Sequence, residues 1–368
     1  MDPPNVRAPL QVRRPWERTV DLDTCPETCP DRCPSRAGAA PPSRPLVTVR
    51  PFAPTRPAGT AGTVCILMAN TSIDPDLRSI ARWLPRGAVG RRSLGTVRLL
   101  TRLPARKTAP DVTVERVGST SVRLHGLDPN DEPRPALLWI HGGGYLIGTA
   151  AQDDAICREF ARRLRIVVAS VDYRLAPEHP YPVPLYDCYD ALSWLARHRG
   201  VDPARLAVGG ASAGGGLAAA LALLARDRGE LELALQLLAY PMLDDRTTLR
   251  NDIDERSFRL WNNRSNRFGW ASYLGCMPGS AGVSGLAAPA RHDDLAGVAP
   301  AWIGVGTLDL FHDEDLVYAH RLRGSGVACD VDVVDGAFHG FDAVAPEARV
   351  SRDFRGAQIA ALVGALDR

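Results

Sequence analysis

From about residue 111 onward the hydrophobic pattern changes period repeatedly, and the two periods take turns. Residues 112–124 alternate apolar and polar in strand fashion, and 136–140 form a short apolar run. A helical spacing follows over 153–164, then a buried-strand run over 166–171, a helix over 186–197 and a short strand over 206–208 that runs into glycines. An Ala/Leu-rich helix over 213–226 leads to a strand over 233–240, which Pro241 ends. After a polar, Arg/Asn-rich interval from 244 to about 286, the pattern resumes with a strand over 301–305, a helix over 313–323, a strand over 329–334 and a last helix from about 347. Strands that are apolar throughout and alternate with helices predict a largely parallel sheet covered on both faces, hence an α/β fold.

Upstream the pattern differs. Ile73, Leu77, Ile80, Ala81 and Leu84 recur at helix-like spacing. Residues 1–67 are rich in Pro, Arg and small residues and show neither period, so they read as a disordered extension, with Met68 as the native start. The expected organisation is thus an extension over 1–67, helices over 68–110 and one catalytic domain over 111–368.

Composition narrows the class. With 45% hydrophobic and 23% charged residues, the chain can bury a full core. A net charge of +2 gives no reason to expect nucleic acid or an anionic membrane as partner, and small neutral substrates fit better. The longest apolar stretches, 217–225 and 233–240, are far shorter than the ~20 residues that span a bilayer. Near the N-terminus only residues 64–68 approach an apolar run, short of the ~7–15 residues of a secretory apolar region, so a cytoplasmic location is expected. Cys25, Cys29, Cys33 and Cys65 lie near the N-terminus, and Cys157, Cys188, Cys276 and Cys329 are scattered; reduced thiols are expected rather than a disulfide framework. The Cys25, Cys29, Cys33 spacing fits no common zinc pattern, and prolines at 26, 30 and 34 oppose a helix that would gather the thiols, so no metal site is expected.

The chemistry is concentrated in a few places. Gly210-Ala211-Ser212-Ala213-Gly214 fits G-x-S-x-G, a nucleophile elbow, and it lies between a strand and a helix as that motif requires. His141-Gly142-Gly143-Gly144 follows an earlier strand, where three glycines leave backbone N–H groups unobstructed for a developing oxyanion. His141 itself reads as structural. Such a serine needs a base, and a carboxylate to orient it, in the chain order Ser, acid, His. Among the downstream histidines, His320 falls inside a helix and His292 in an irregular polar stretch, and His312 competes weakly. His339 lies in a loop just past a strand, on the edge where Ser212 emerges. Asp309 follows the 301–305 strand at the same edge and is the favoured acid. Asp313, which reads as a helix N-cap with Glu314 and Asp315 in the first turn, is the alternative.

These motifs, together with Asp172-Tyr173-Arg174-Leu175-Ala176-Pro177-Glu178-His179 and Ser212-Ala213-Gly214-Gly215-Gly216, make the chain resemble the bacterial hormone-sensitive-lipase-like esterases, from about Ile73 onward. The resemblance implies the α/β-hydrolase fold, with a cap formed by N-terminal helices over 68–110 and an insertion over about 245–286. It further implies oxyanion donors from Gly143, Gly144 and Ala213, with Gly142 shaping the loop, and a bracing role for residues 172–178. One departure is visible: the position before the serine, often acidic in that family, is Ala211.

The expected activity is carboxylester hydrolysis on short- to medium-chain acyl esters, through a Ser212-His339-Asp309 triad and an acyl-enzyme, without cofactor or metal. An amidase or formamidase with the same triad is the alternative, and a non-catalytic small-molecule receptor on the same scaffold is a second. Such receptors lose the histidine, and His339 is present. The expected partner is a small ester, and a homodimer remains open. In the cap interval Trp261, Phe268, Trp270 and Tyr273 share the sequence with six arginines, and two readings follow: aromatics packed onto the catalytic domain, or aromatics walling an acyl pocket.

Overall fold

The computed structural model describes residues 72–87, 89–102, 111–127 and 132–367. The expectations for residues 1–67, including a start at Met68, lie outside the described residues, as do residues 103–110 of the N-terminal cap segment.

Eight strands form one sheet among the described residues: β1 (Thr113–Val117), β2 (Thr120–His125), β3 (Arg134–Ile140), β4 (Val167–Val171), β5 (Val201–Ala211), β6 (Leu235–Ala239), β7 (Ala301–Leu308) and β8 (Cys329–Phe338). Their order is β1-β2-β4-β3-β5-β6-β7-β8. β2 runs antiparallel to both of its neighbours, β1 and β4, and the pairs from β4·β3 to β7·β8 are parallel. This is the α/β-hydrolase fold.

The helices are α1 (Arg78–Ala81), α2 (Leu94–Arg102), α3 (Asp154–Leu164), α4 (Val183–Ala196), α5 (Ala213–Arg228), α6 (Asn263–Leu274), α7 (His312–Gly324), α8 (Phe341–Val344) and α9 (Arg349–Leu366). Alternate residues of each parallel strand face opposite layers. Leu138, Ile140, Val208 and Leu238 join the core that includes Leu192 of α4, Leu217 of α5 and Leu322 of α7. Leu137, Trp139, Ala207 and Leu237 join the other, with Phe160 of α3 and Phe354 of α9. None of the described helices is long and apolar enough to cross a membrane. Cys157, Cys188 and Cys329 are buried free thiols and Cys276 is an exposed one; the four earlier cysteines lie outside the described residues.

Several bounds differ from the sequence expectation for local reasons. The alternating stretch 112–124 is a hairpin rather than one strand, because Gly118 turns the chain at φ 57°. The strand expected over 206–208 begins at Val201, because Arg134 of β3 already pairs with Val201 before an irregularity shifts the register. β7 and β8 run on to Leu308 and Phe338, which pair with one another beyond a second shift. The interval 245–286 holds one α-helix, α6, among short 3-10 turns at Asp245–Leu249 and Glu255–Ser257.

Candidate active site

β5 turns into α5 at Ser212, which has φ 57° and ψ −122°. A serine held at positive φ costs of order 1–3 kcal/mol, so its surroundings must enforce it. The Ser212 N–H donates to the Ala239 carbonyl at 2.9 Å, and the Ser212 carbonyl accepts from the N–H groups of Gly216 and Met242 at 3.0 Å each. The two glycines of the motif have a steric reason. A Cβ on Gly214 would lie 2.0 Å from the Ile140 carbonyl oxygen, and one on Gly210 2.5 Å from that same oxygen. Without side chains there, α5 presses directly against the end of β3.

Because Leu308 and Phe338 are paired neighbours, the residues that follow them emerge side by side. His339 lies with Nδ1 2.8 Å from Asp309 Oδ2 and Nε2 2.9 Å from Ser212 Oγ. The Phe311 N–H donates to the other Asp309 oxygen at 3.0 Å. The imidazole is held edge-on by Tyr240 and Phe311, with ring centroids 5.0 and 5.1 Å away. Ser212 and His339 are 6% and 7% exposed, so the site is almost closed to solvent.

The alternatives lie elsewhere. Asp313 pairs with Arg250 at 2.6 Å and with His312 Nδ1 at 2.9 Å, and its side chain is 57% exposed. It is not the N-cap of α7, a position held by Phe311. His320 is exposed, and His292 lies 3.9 Å from Asp227. Glu314 and Asp315 do lie in the first turn of α7 but are buried there. Glu314 accepts from the N–H groups of Leu243 and Asp244 at 2.8 and 3.1 Å and from the Thr247 hydroxyl, fastening the root of the insertion to α7. Burial pushes its carboxyl up to about 8, outweighing those three donors.

The loop after β3 brings Gly142 against the elbow, where an added Cβ would lie 3.3 Å from Ser212 Cβ. Gly143 and Gly144 have φ 126° and 60°. Ala213, the first residue of α5, follows the serine directly. His141 is fully buried, stacked on Tyr173 at 4.3 Å, with Nδ1 2.8 Å from the Gly142 carbonyl, and burial lowers its pKa. The Tyr173 hydroxyl donates to the His141 carbonyl at 3.0 Å, and Asp172 accepts from the Ala150 N–H at 3.1 Å, so the 172–179 segment touches both ends of the loop.

Trp261, Trp270 and Tyr273 of the insertion are all buried in one core and differ in what they touch. Tyr273 stacks on Tyr145 at 3.9 Å, and Trp270 lies 5.5 Å from the same ring. Trp261 instead lies over Gly144, where an added Cβ would meet its Cη2 at 2.0 Å. A tight turn aims it: the Trp261 N–H donates to the Arg259 carbonyl at 2.7 Å across Leu260, whose φ is 66°. Behind the elbow, Ala211 borders a cavity of about 350 Å³ that Asp153, Tyr240 and Asp342 also line. Burial raises both carboxyls, Asp153 to about 6, and the Tyr240 hydroxyl donates to Asp342 at 2.6 Å. Sequence reading overlooked Glu314 as an anchor and Tyr240 as the ring beside His339. It also overlooked Arg98, which nothing in the pattern separates from the other arginines.

A profile described as the alpha/beta hydrolase fold matches residues 137–343. Esterase LipI of Mycobacterium tuberculosis is 34% identical over 216 residues, covering 58% of this chain and 67% of that protein. Carboxylesterase NlhH of the same bacterium is 32% identical over 329 residues, covering 81% of this chain and 98% of NlhH. Among solved structures, a bacterial heroin esterase superposes with a TM-score of 0.73 at 38% identity, covering 80% of this chain and 98% of that one. The chain belongs to the hormone-sensitive-lipase-like esterases of the α/β-hydrolase superfamily. It is a carboxylic ester hydrolase.

Proposed function

We propose that the chain hydrolyses small esters of short- to medium-chain acids with Ser212 as nucleophile, His339 as general base and Asp309 as the orienting carboxylate. The observation that carries this reading is the unbroken hydrogen-bonded line from Ser212 Oγ through His339 to Asp309. Ser212 attacks the ester carbonyl as His339 Nε2 takes its proton. The carbonyl oxygen, now negative, is stabilised by N–H groups of the 142–144 loop and Ala213. His339 then protonates the leaving alcohol, and a water deprotonated by the same imidazole releases the acid. Asp309 keeps the histidine in the tautomer that presents an unprotonated Nε2 to the serine.

Trp261, seated on the oxyanion loop, is the residue proposed to limit acyl length. Each buried CH₂ gains ~0.8 kcal/mol, about fourfold in kcat/KM, only while room remains. Hydrolysis of p-nitrophenyl esters of increasing chain length tests both points. Activity is expected to rise over the first acyl carbons and then fall, and Ser212→Ala is expected to remove all but a small residue of it. Turnover of the matching anilides at a rate equal to the esters would favour an amidase instead.

A further inference from the structure

Two planar peptide groups, joined by a hydrogen bond, link a cap-helix arginine to one of the proposed oxyanion donors. Arg98 lies on α2, and its guanidinium makes four hydrogen bonds. Its Nε donates to the Leu146 carbonyl at 2.7 Å, one terminal nitrogen donates to the Ala176 carbonyl at 2.6 Å, and the two terminal nitrogens grip Glu178 at 2.6 and 2.9 Å. The Arg98 side chain is 15% exposed, so these bonds are largely shielded from water, although Glu178 itself is 56% exposed.

The bond to Leu146 matters because a peptide is planar and trans, so fixing its C=O fixes the direction of the N–H on its far side. The carbonyl of Leu146 shares its peptide with the Ile147 N–H, which donates to the Gly143 carbonyl at 3.1 Å. The Leu146 N–H donates to that same carbonyl at 3.0 Å. The Gly143 carbonyl in turn shares its peptide with the Gly144 N–H. At φ 126° and 60°, Gly143 and Gly144 occupy backbone states that glycine visits freely, so nothing in their own covalent structure selects this orientation. Arg98 also secures the parallel support, since the Ala176 N–H donates to the Tyr145 carbonyl at 3.0 Å while the Ala176 carbonyl accepts from Arg98.

We propose that Arg98 is a positioning residue for the reaction: through the Leu146 and Gly143 peptides it sets the direction of the Gly144 N–H, so that the N-terminal cap helix tunes oxyanion stabilisation. This rests on the reading of Gly144 as an oxyanion donor. A lysine in its place could satisfy one carbonyl but could not supply the planar fork that spans Leu146, Ala176 and Glu178.

The test compares Arg98→Lys, Arg98→Ala and Glu178→Gln with the parent chain on p-nitrophenyl butyrate, with melting temperatures measured alongside. Outright removal of an oxyanion donor costs ~10²–10³ in kcat, and misdirecting one is expected to cost less, about 10- to 100-fold in kcat for Arg98→Ala with little change in KM. Binding of a trifluoromethyl ketone, which forms a tetrahedral adduct on the serine, should weaken in step with kcat/KM, whereas a non-reacting ester analogue should bind as before. Guanidinium at sub-denaturing concentration should restore part of the kcat of Arg98→Ala. Glu178→Gln, which loosens only the outer bond, should fall between parent and Arg98→Ala. Should Arg98→Ala fold with unchanged kcat, or lose ketone and ester-analogue binding equally, the inference is overturned. Should it not fold, Arg98→Lys and Glu178→Gln decide by the same ratio of ketone to ester-analogue binding. Ser212→Ala is the separate control: if it stays active, the reading of the site itself fails, independently of Arg98.

Discussion

Replacing Gly144 with alanine should do damage that depends on a residue more than a hundred positions away in the chain. The new Cβ would stand 2.0 Å from Trp261 Cη2 and 2.7 Å from Cζ2, where ordinary van der Waals contact begins at 3.4 Å. The backbone strain alone, at φ 60°, is about 1–2 kcal/mol for a residue with a Cβ. The clash adds to it, because Trp261 is 5% exposed and can yield only by leaving its site or by pushing the loop away. Loss of a buried tryptophan side chain costs about 3–5 kcal/mol, which bounds the steric part from above. Gly144→Ala should therefore destabilise the chain by more than the strain alone, up to about 4–7 kcal/mol, and lower kcat by ~10²–10³ if the Gly144 N–H is displaced. Trp261→Ala removes the obstacle. In that background Gly144→Ala should cost only the ~1–2 kcal/mol of strain and recover much of its lost turnover. Urea unfolding and p-nitrophenyl butyrate turnover of the four proteins measure both quantities. Costs that simply add to within ~0.5 kcal/mol would refute the contact, since independent sites add and touching ones do not.

Ser212→Ala and His339→Ala should each lose nearly as much activity as the double substitution, leaving ~10³–10⁴-fold catalysis over water; a double mutant far worse than either single would dissolve the pair. Asp309→Asn should fold and lose kcat on the order of 10⁴-fold, whereas Asp313→Asn, which loses only its exposed pairing with Arg250 and His312, should stay near parent turnover. Glu314 binds its proton more tightly folded than unfolded, so its contribution favours the fold below about 4.5 and is lost as pH rises through about 8. At ~1.4 kcal/mol per pKa unit this amounts to several kcal/mol, so Glu314→Gln should flatten the fall of unfolding free energy between those pH values. A pH–stability curve of unchanged slope would show that Glu314 is ionised in the fold.

Much of the architecture was legible because the parallel strands are buried on both faces and therefore read as apolar runs between helical periods. The chain order of Ser212, Asp309 and His339 came from the motif, and their rough place from strands that all end at one edge of the sheet. What escaped was set by pairing and packing. The strand ends at Leu308 and Phe338 depend on a register shift that no local composition announces. Glu314 looked like a first-turn acid because sequence shows the helix end but not what descends on it. Arg98 was one arginine in 44 Lys and Arg residues, distinguished only by the carbonyls it reaches. Trp261 and Trp270 had the same sequence credentials and are both buried, yet one lies over Gly144 and the other against Tyr145.

The bond between Glu314 and the Leu243–Asp244 backbone has a bearing on engineering. The 245–286 segment is rooted on the helix that begins three residues after Asp309, so its seat and the seat of Asp309 are one piece of scaffold. A chimera that exchanged only residues 245–286 would keep the Leu243 and Asp244 donors but replace Thr247, so a buried carboxyl oxygen would lose its hydroxyl partner unless the donor segment supplied one. A workable graft has to carry its own seam, with positions 243–247 and the helix-borne acceptor moving together. Exchange of substrate range among such chimeras should then be limited less by the new pocket than by how well the donor's root fits α7.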